Sequence, residues 1–197
     1  MKAPRLHAKQ WAERRVSGPI ARLLIALHIP ASAITLAGLA VAGGAAYLIA
    51  EGRLLVGGAV MLAGAALDML DGAVARLANS ASRFGAYLDS VADRAGEAVV
   101  FFGLLAFYAR DGHLLGAYLA FAAAIAAMLV SYSRARAEGL GVTGDVGLLG
   151  RPERIVVLGA GLLLGYPLYA MGVIVALALL TSLQRLWHVH RNTRGGE

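Results

Sequence analysis

Cysteine is absent from this 197-residue chain, and charge is scarce: only 15% of the residues are Asp, Glu, Lys or Arg. The first absence excludes disulfides, thiolate-held metals and a cysteine nucleophile. It leaves open a hard cation on carboxylate oxygens. The second, with 59% hydrophobic residues and a mean hydropathy of +0.68, excludes an ordinary soluble domain and places the chain in the membrane class. Whole stretches lack ionised side chains: residues 23–50 carry none beyond His28, and residues 155–184 carry none. There is no internal repeat. What is present in quantity is glycine, 25 residues, together with much alanine. Small residues let membrane helices approach closely, which suits a polytopic bundle.

The first 22 residues do not read as a cleavable signal, because Lys2, Arg5, Lys9, Arg14, Arg15 and Arg22 are interleaved with Trp11 and apolar residues. They read as an amphipathic helix on the membrane surface. A span needs roughly 20 mostly apolar residues. By that measure Pro30 starts the first span, which ends before "EGR" (51–53). The second runs from Leu54 to about Ala78, and the third from about Arg83 to Tyr108. The fourth runs from Leu114 to about Ala135. Pro152 suits the first turn of a further helix. The uncharged run 155–184 is one long span or two broken at "GYP" (165–167). Two spans give six in all, and every Lys and Arg except Arg53, Arg94 and Arg110 then lies on one side, a positive-inside pattern. The expected architecture is therefore an all-α polytopic membrane protein with six transmembrane helices and an N-terminal surface helix. It forms a single domain: residues 1–22 juxtamembrane, 23–190 the bundle and 191–197 a tail. Both termini are expected to face the cytoplasm.

Against this apolar background, residues 66–94 hold four aspartates, Asp68, Asp71, Asp89 and Asp93. Intramembrane carboxylates are costly and by default functional candidates. A short turn near Asn79 and Ser80 implies an antiparallel hairpin that sets Asp71 level with Asp89 and Asp68 with Asp93. Spacings of three and four keep each pair on one helix face. Gly72, Ala75, Gly85 and Ala86 allow the backbones to approach. Four facing carboxylates cannot all stay ionised uncompensated. Oxygen-only ligands favour Mg²⁺ or Mn²⁺, and two ions would balance four charges, an arrangement suited to in-line displacement at phosphorus. Structural ion pairs with Arg76, Arg83 and Arg94 are the bland alternative.

The string Asp68-x2-Asp71-Gly72-x2-Ala75-Arg76-x8-Gly85-x3-Asp89-x3-Asp93 resembles the complete signature of the CDP-alcohol phosphotransferases. The resemblance implies a six-helix membrane enzyme, usually a homodimer, with its site open to the cytoplasm. In it an alcohol attacks CDP-diacylglycerol, CMP leaves and a phosphodiester lipid forms. It implies metal ligation by Asp68, Asp71, Asp89 and Asp93, with Asp93 also the general base. It further implies nucleotide contacts by Gly72, Arg76, Ser82 and the stretch Ala31, Ser32, Ala33, Ile34 and Thr35; many members have Asn or Asp where Ser32 stands.

"SYSRARAEGLG" (131–141) and "GRPER" (150–154) resemble the bacterial phosphatidylinositol phosphate synthase branch of that family. That resemblance implies that Ser131, Arg134, Arg136 and Arg154, joined by Arg191, hold the phosphate of inositol 1-phosphate. Independently, arginines at the mouth of a catalytic cleft predict an anionic acceptor, although positive-inside topology also places arginines there. Glu138 and Glu153 suggest ordered pairs among these arginines, and Arg94 is expected to pair with Glu97 three residues on. The expected partners are CDP-diacylglycerol, a phosphorylated small alcohol, the bilayer and a second copy of the chain, and not nucleic acid. The rivals are a phosphatidylglycerol phosphate synthase, another CDP-alcohol phosphotransferase, or a cation or proton transporter. A transporter would more often spread its acids along a pathway and show repeated halves.

Overall fold

The computed structural model describes residues 18–78 and 82–193, with the side chains of Ile20, Met69, Asp71, Ala73, Ala75 and Arg76 outside the described part. Seven helices account for almost all of it: α1 (Gly18–Ala26), α2 (Ala31–Ala50), α3 (Leu54–Leu77), α4 (Arg83–Arg110), α5 (Leu114–Gly139), α6 (Arg151–Leu163) and α7 (Pro167–Thr193). Among the described residues there is no strand. The expected surface helix of residues 1–22 is described only from Gly18 onward, and there it continues past residue 22 to Ala26. Residues 1–17 and the turn residues Asn79 and Ser80 lie outside the described residues.

The helices end in one recurring way. At Gly52, Gly112, Gly141 and Gly165 the backbone turns to positive φ, and the next residue's N–H reaches back five residues to a helix carbonyl. This is the left-handed cap that glycine adopts most readily. α1 ends in the same motif with His28 at φ 56, its neighbour Ile29 N–H donating to Leu24 O at 3.0 Å. Pro30 then forbids continuation, and α2 starts at once. The "GYP" break likewise divides the last apolar run: Gly165 has φ +78, and α6 and α7 are separate helices. Pro152 stands in the first turn of α6, as expected.

Three helices, α2, α5 and α7, are long and apolar enough to cross a bilayer, and α3 is apolar over Leu54–Asp68. α6 has 13 residues, about 20 Å of helix against a hydrocarbon core of about 30 Å. Large apolar side chains stand exposed along the helices, among them Phe102, Tyr118, Phe121, Ile125 and Leu183. An exterior of this kind is stable against lipid tails rather than water, and the chain is a multi-pass membrane protein.

The chain divides into two compact units. Unit 1 comprises Met1–Val41 and Ala63–Gly96, and unit 2 comprises Ala42–Leu62 and Glu97–Glu197. Unit 1 has a small apolar core of Ala21, Ile34 and Val74, with Leu24, Ile25, Ile29 and Ala31 against it. Unit 2 has the larger one. There the buried stripe of α5 (Ala120, Ala123, Ala126, Ala127, Val130) and that of α7 (Met171, Ile174, Ala178) join Leu158 and Leu162 of α6 and Phe101 and Leu104 of α4. α5 and α6 both pack on α7. Side-chain size governs these approaches: a Cβ at Gly103 would lie 2.5 Å from Ala46 O, and one at Gly159 2.6 Å from Leu62 Cδ2. Only glycine permits helices so close.

Candidate functional residues: aspartates of unit 1 and arginines of unit 2

The candidate aspartates belong to unit 1. Asp68 lies on α3, and Asp89 and Asp93 lie on α4, all three half-buried. The backbones of Asp71, Gly72 and Arg76 lie on α3, while the side chains of Asp71 and Arg76 are outside the described residues. Asp68 is seated against α2, where a Cβ at the buried Gly38 would come within 2.6 Å of its Oδ1. Gly38 therefore leaves room for one carboxylate of the set. Among the described residues no three His, Asp or Glu side chains form a metal-ready group; the fourth aspartate of the motif is Asp71. Carboxylates alone, in a chain without thiols, suit a hard divalent cation.

The residues expected to touch a nucleotide divide by environment. Ser82 is the N-cap of α4, its Oγ accepting the Gly85 N–H at 2.9 Å, and it is exposed. Ser32 and Ala33 are exposed at the start of α2, and Ala31 is half-buried. Ile34 is turned into the unit 1 core. Thr35 is buried, its hydroxyl donating to Ala31 O at 3.1 Å. Within this stretch, Ser32 and Ala33 are thus the exposed positions.

The candidate acceptor-binding arginines belong to unit 2. Arg154, on the first turn of α6, is 2% exposed. Its Nε and Nη2 donate to Glu97 Oε1 and Oε2 at 2.6 and 2.7 Å, a bidentate pair. Its Nη2 also lies 3.5 Å from Ser131 Oγ, and its Nη1 is buried without a hydrogen-bond partner. The expected Arg94–Glu97 pair does not form. Arg94 Nη1 instead donates back to the carbonyl and hydroxyl of Ser90, one turn earlier, while Glu97 is taken by Arg154. Spacing along one helix is a weaker constraint than a buried guanidinium that needs a carboxylate. Arg134 pairs with Glu138 at 2.9 Å on the surface of α5, as anticipated, and Arg136 is exposed on the same helix. Arg191 is exposed near the end of α7, on a cavity of about 610 Å³ that Gln184, Trp187, His188 and the loop at Val146–Leu148 also line.

Two residues of this unit escape a reading by motif. Arg185 is 6% exposed; its Nε donates to Val146 O at 2.8 Å and its Nη1 to Val130 O. It lies within electrostatic range of Arg134 and Arg154, which repel it, and of Asp145 and Glu138, which attract it. Thr181, wholly buried one turn earlier, accepts the Leu149 N–H at 3.0 Å. Together they hold the loop between α5 and α6. The available signal was the stripe Met171, Ile174, Ala178, Thr181, Arg185, whose spacing of three and four puts Arg185 on a buried face.

Carboxylates within apolar helices are costly and by default mark function rather than an inert bundle. A family model described as CDP-alcohol phosphatidyltransferase matches residues 27–184, and the chain belongs to that family. It is 38% identical over 182 residues to an archaetidylinositol phosphate synthase of Methanothermobacter thermautotrophicus, covering 89% of each chain. It is 40% identical over 164 residues to a phosphatidylinositol phosphate synthase of Mycobacterium marinum, covering 81% of this chain and 68% of that one. The crystal structure of the Mycobacterium tuberculosis phosphatidylinositol phosphate synthase with CDP-DAG bound matches with a TM-score of 0.81 at 32% identity, over 89% of this chain and 94% of that one. The same enzyme in complex with manganese and citrate also matches with a TM-score of 0.81, over 88% of each chain.

Proposed function

We propose that this chain transfers the phosphatidyl group of CDP-diacylglycerol to inositol 1-phosphate, releasing CMP and forming phosphatidylinositol phosphate. The observation that carries the acceptor is Arg154: a buried guanidinium beside Ser131, with one nitrogen left without a protein partner. Phosphate oxygens complete such a group, whereas a neutral alcohol does so poorly. The Coulombic neighbourhood of Arg134, Arg154 and Arg185 supports the same choice.

In this reading Asp68, Asp71, Asp89 and Asp93 are the ligands of two divalent ions, Mg²⁺ or Mn²⁺. A divalent cation held there neutralises the donor's diphosphate and stabilises the departing CMP. Gly72 gives the nucleotide close access to the backbone, Arg76 holds a phosphate oxygen, and Ser82 and residues 31–35 border the CDP group. Asp93 accepts the proton of the acceptor hydroxyl. The new bond joins that oxygen to the phosphorus bearing the diacylglycerol, and the bond from this phosphorus to the CMP oxygen breaks. A carboxylate near a metal is a weak base, so its contribution depends on position. Ser131, Arg134, Arg136, Arg154 and Arg191 hold the acceptor's phosphate. The chain crosses the membrane six times with termini and site cytoplasmic, and works as a homodimer. The separation of α6 from α7 supports an even number of crossings.

The test is an acceptor panel with purified protein, CDP-diacylglycerol and Mg²⁺, read by CMP release. Inositol 1-phosphate is expected to support turnover, with free inositol, glycerol 3-phosphate and serine far behind. Preference for glycerol 3-phosphate would move the chain to a different acceptor class within the same family.

A further inference from the structure

Glu97 lies outside the aspartate motif, four residues after Asp93 on α4, and the proposed chemistry gives it no task. Its surroundings suggest one. The Glu97 side chain is 11% exposed and the Arg154 side chain 2%, so both charges are withdrawn from solvent. A guanidinium presents its donors in a planar fork, and the Nε–Nη2 edge is one of the two that can grip a phosphate with two parallel bonds. In Arg154 that edge is already occupied by Glu97, at 2.6 and 2.7 Å. What remains is the other fork, the Nη1–Nη2 edge: Nη1 is buried and without a hydrogen-bond partner, and Nη2 lies 3.5 Å from Ser131 Oγ.

We infer that Glu97 is a positioning residue that fixes the roll of the Arg154 guanidinium, so that its remaining Nη1–Nη2 edge meets the acceptor's phosphate, with the Ser131 hydroxyl beside Nη2. The inference rests on the reading of Arg154 as an acceptor ligand. It deepens that reading by assigning the contact to the Nη1–Nη2 edge, with its direction set from α4. The acceptor's phosphate is then bound in one orientation, which fixes where its hydroxyl lies.

The experiment uses full-length protein in CDP-diacylglycerol-containing proteoliposomes. CMP release is measured with inositol 1-phosphate and the donor varied separately, for Glu97→Asp, Arg154→Ala and the double variant. Glu97→Asp keeps the charge and draws the carboxylate back, so it reads position and not neutralisation. It is expected to raise KM for inositol 1-phosphate about tenfold, with kcat and the donor KM within about twofold. Arg154→Ala should raise the same KM further, and adding Glu97→Asp to it should change nothing more, because the two act as one unit. If Arg154→Ala raises that KM and Glu97→Asp does not, the positioning role is overturned while the acceptor reading stands. If Arg154→Ala leaves that KM unchanged, the acceptor reading itself falls. Because KM does not depend on the amount of folded enzyme, a loss of stability in Glu97→Asp leaves the result decisive.

Discussion

At the residue scale, charge withdrawn from water is the common difficulty. Asp68, Asp89 and Asp93 are half-buried carboxylates of unit 1, and in the proposed reading they hold divalent ions. Arg154 is a buried cation compensated within the protein by Glu97. Asp93→Asn retains the shape of the side chain and removes its basicity. It is expected to lower kcat by about a hundredfold or more while the protein still binds CDP-diacylglycerol, checked by CMP release beside a donor-binding measurement. Gly38 offers a test that leaves the carboxylates chemically intact. A methyl group there would sit 2.6 Å from Asp68 Oδ1, so Gly38→Ala must displace that carboxylate. The expected outcome is about a tenfold rise in the Mg²⁺ concentration giving half-maximal activity, partly overcome by excess metal. The aspartates were legible as a set because their spacing is a property of the chain. Glu97 was not: from the sequence its nearest cation is Arg94, and only folding brings in Arg154, 57 residues away.

At the scale of elements, the α5–α6 loop decides whether the arginines of unit 2 form a group. Its glycines are fitted to their neighbours. A Cβ at Gly144 would lie 2.9 Å from Arg134 O, and one at Gly147, where φ is +123, would overlap the Thr181 methyl. The loop's Leu149 N–H and Val146 carbonyl are bonded to Thr181 and Arg185 of α7. Thr181→Val keeps the volume and orphans the Leu149 N–H, a loss of about 1–3 kcal/mol for a buried donor. A lower melting temperature in detergent is expected, with a raised acceptor KM and an unchanged donor KM. Helix boundaries were largely predictable, because glycine caps and prolines punctuate the chain at Gly52, Gly112, Pro152 and Gly165. The end of α1 was not, since His28 occupies a left-handed cap where glycine is the ordinary signal.

At the scale of the whole molecule, lipid covers the apolar exterior, and under the proposed six crossings the placement of Lys and Arg orients the chain. The lack of cysteine makes that orientation directly measurable. Single cysteines at the exposed positions Arg53 and Asp111 should react with an impermeant maleimide from outside intact cells, and those at Thr143 and Asn192 only after lysis. Labelling of Asn192→Cys from outside would mean an odd number of crossings. By itself the sequence determined the membrane class, the order of the helices and the aspartate motif, because hydropathy, caps and i, i+3 or i+4 spacing are local and survive without any partner. Only the tertiary structure decided which charges meet. The Glu97–Arg154 pair, the clasp of Arg185 on two carbonyls and the seat of Asp68 against Gly38 each join residues at least 30 positions apart. Which partner a buried charge takes is settled by the packing that excludes water around it, and no spacing along the chain encodes that.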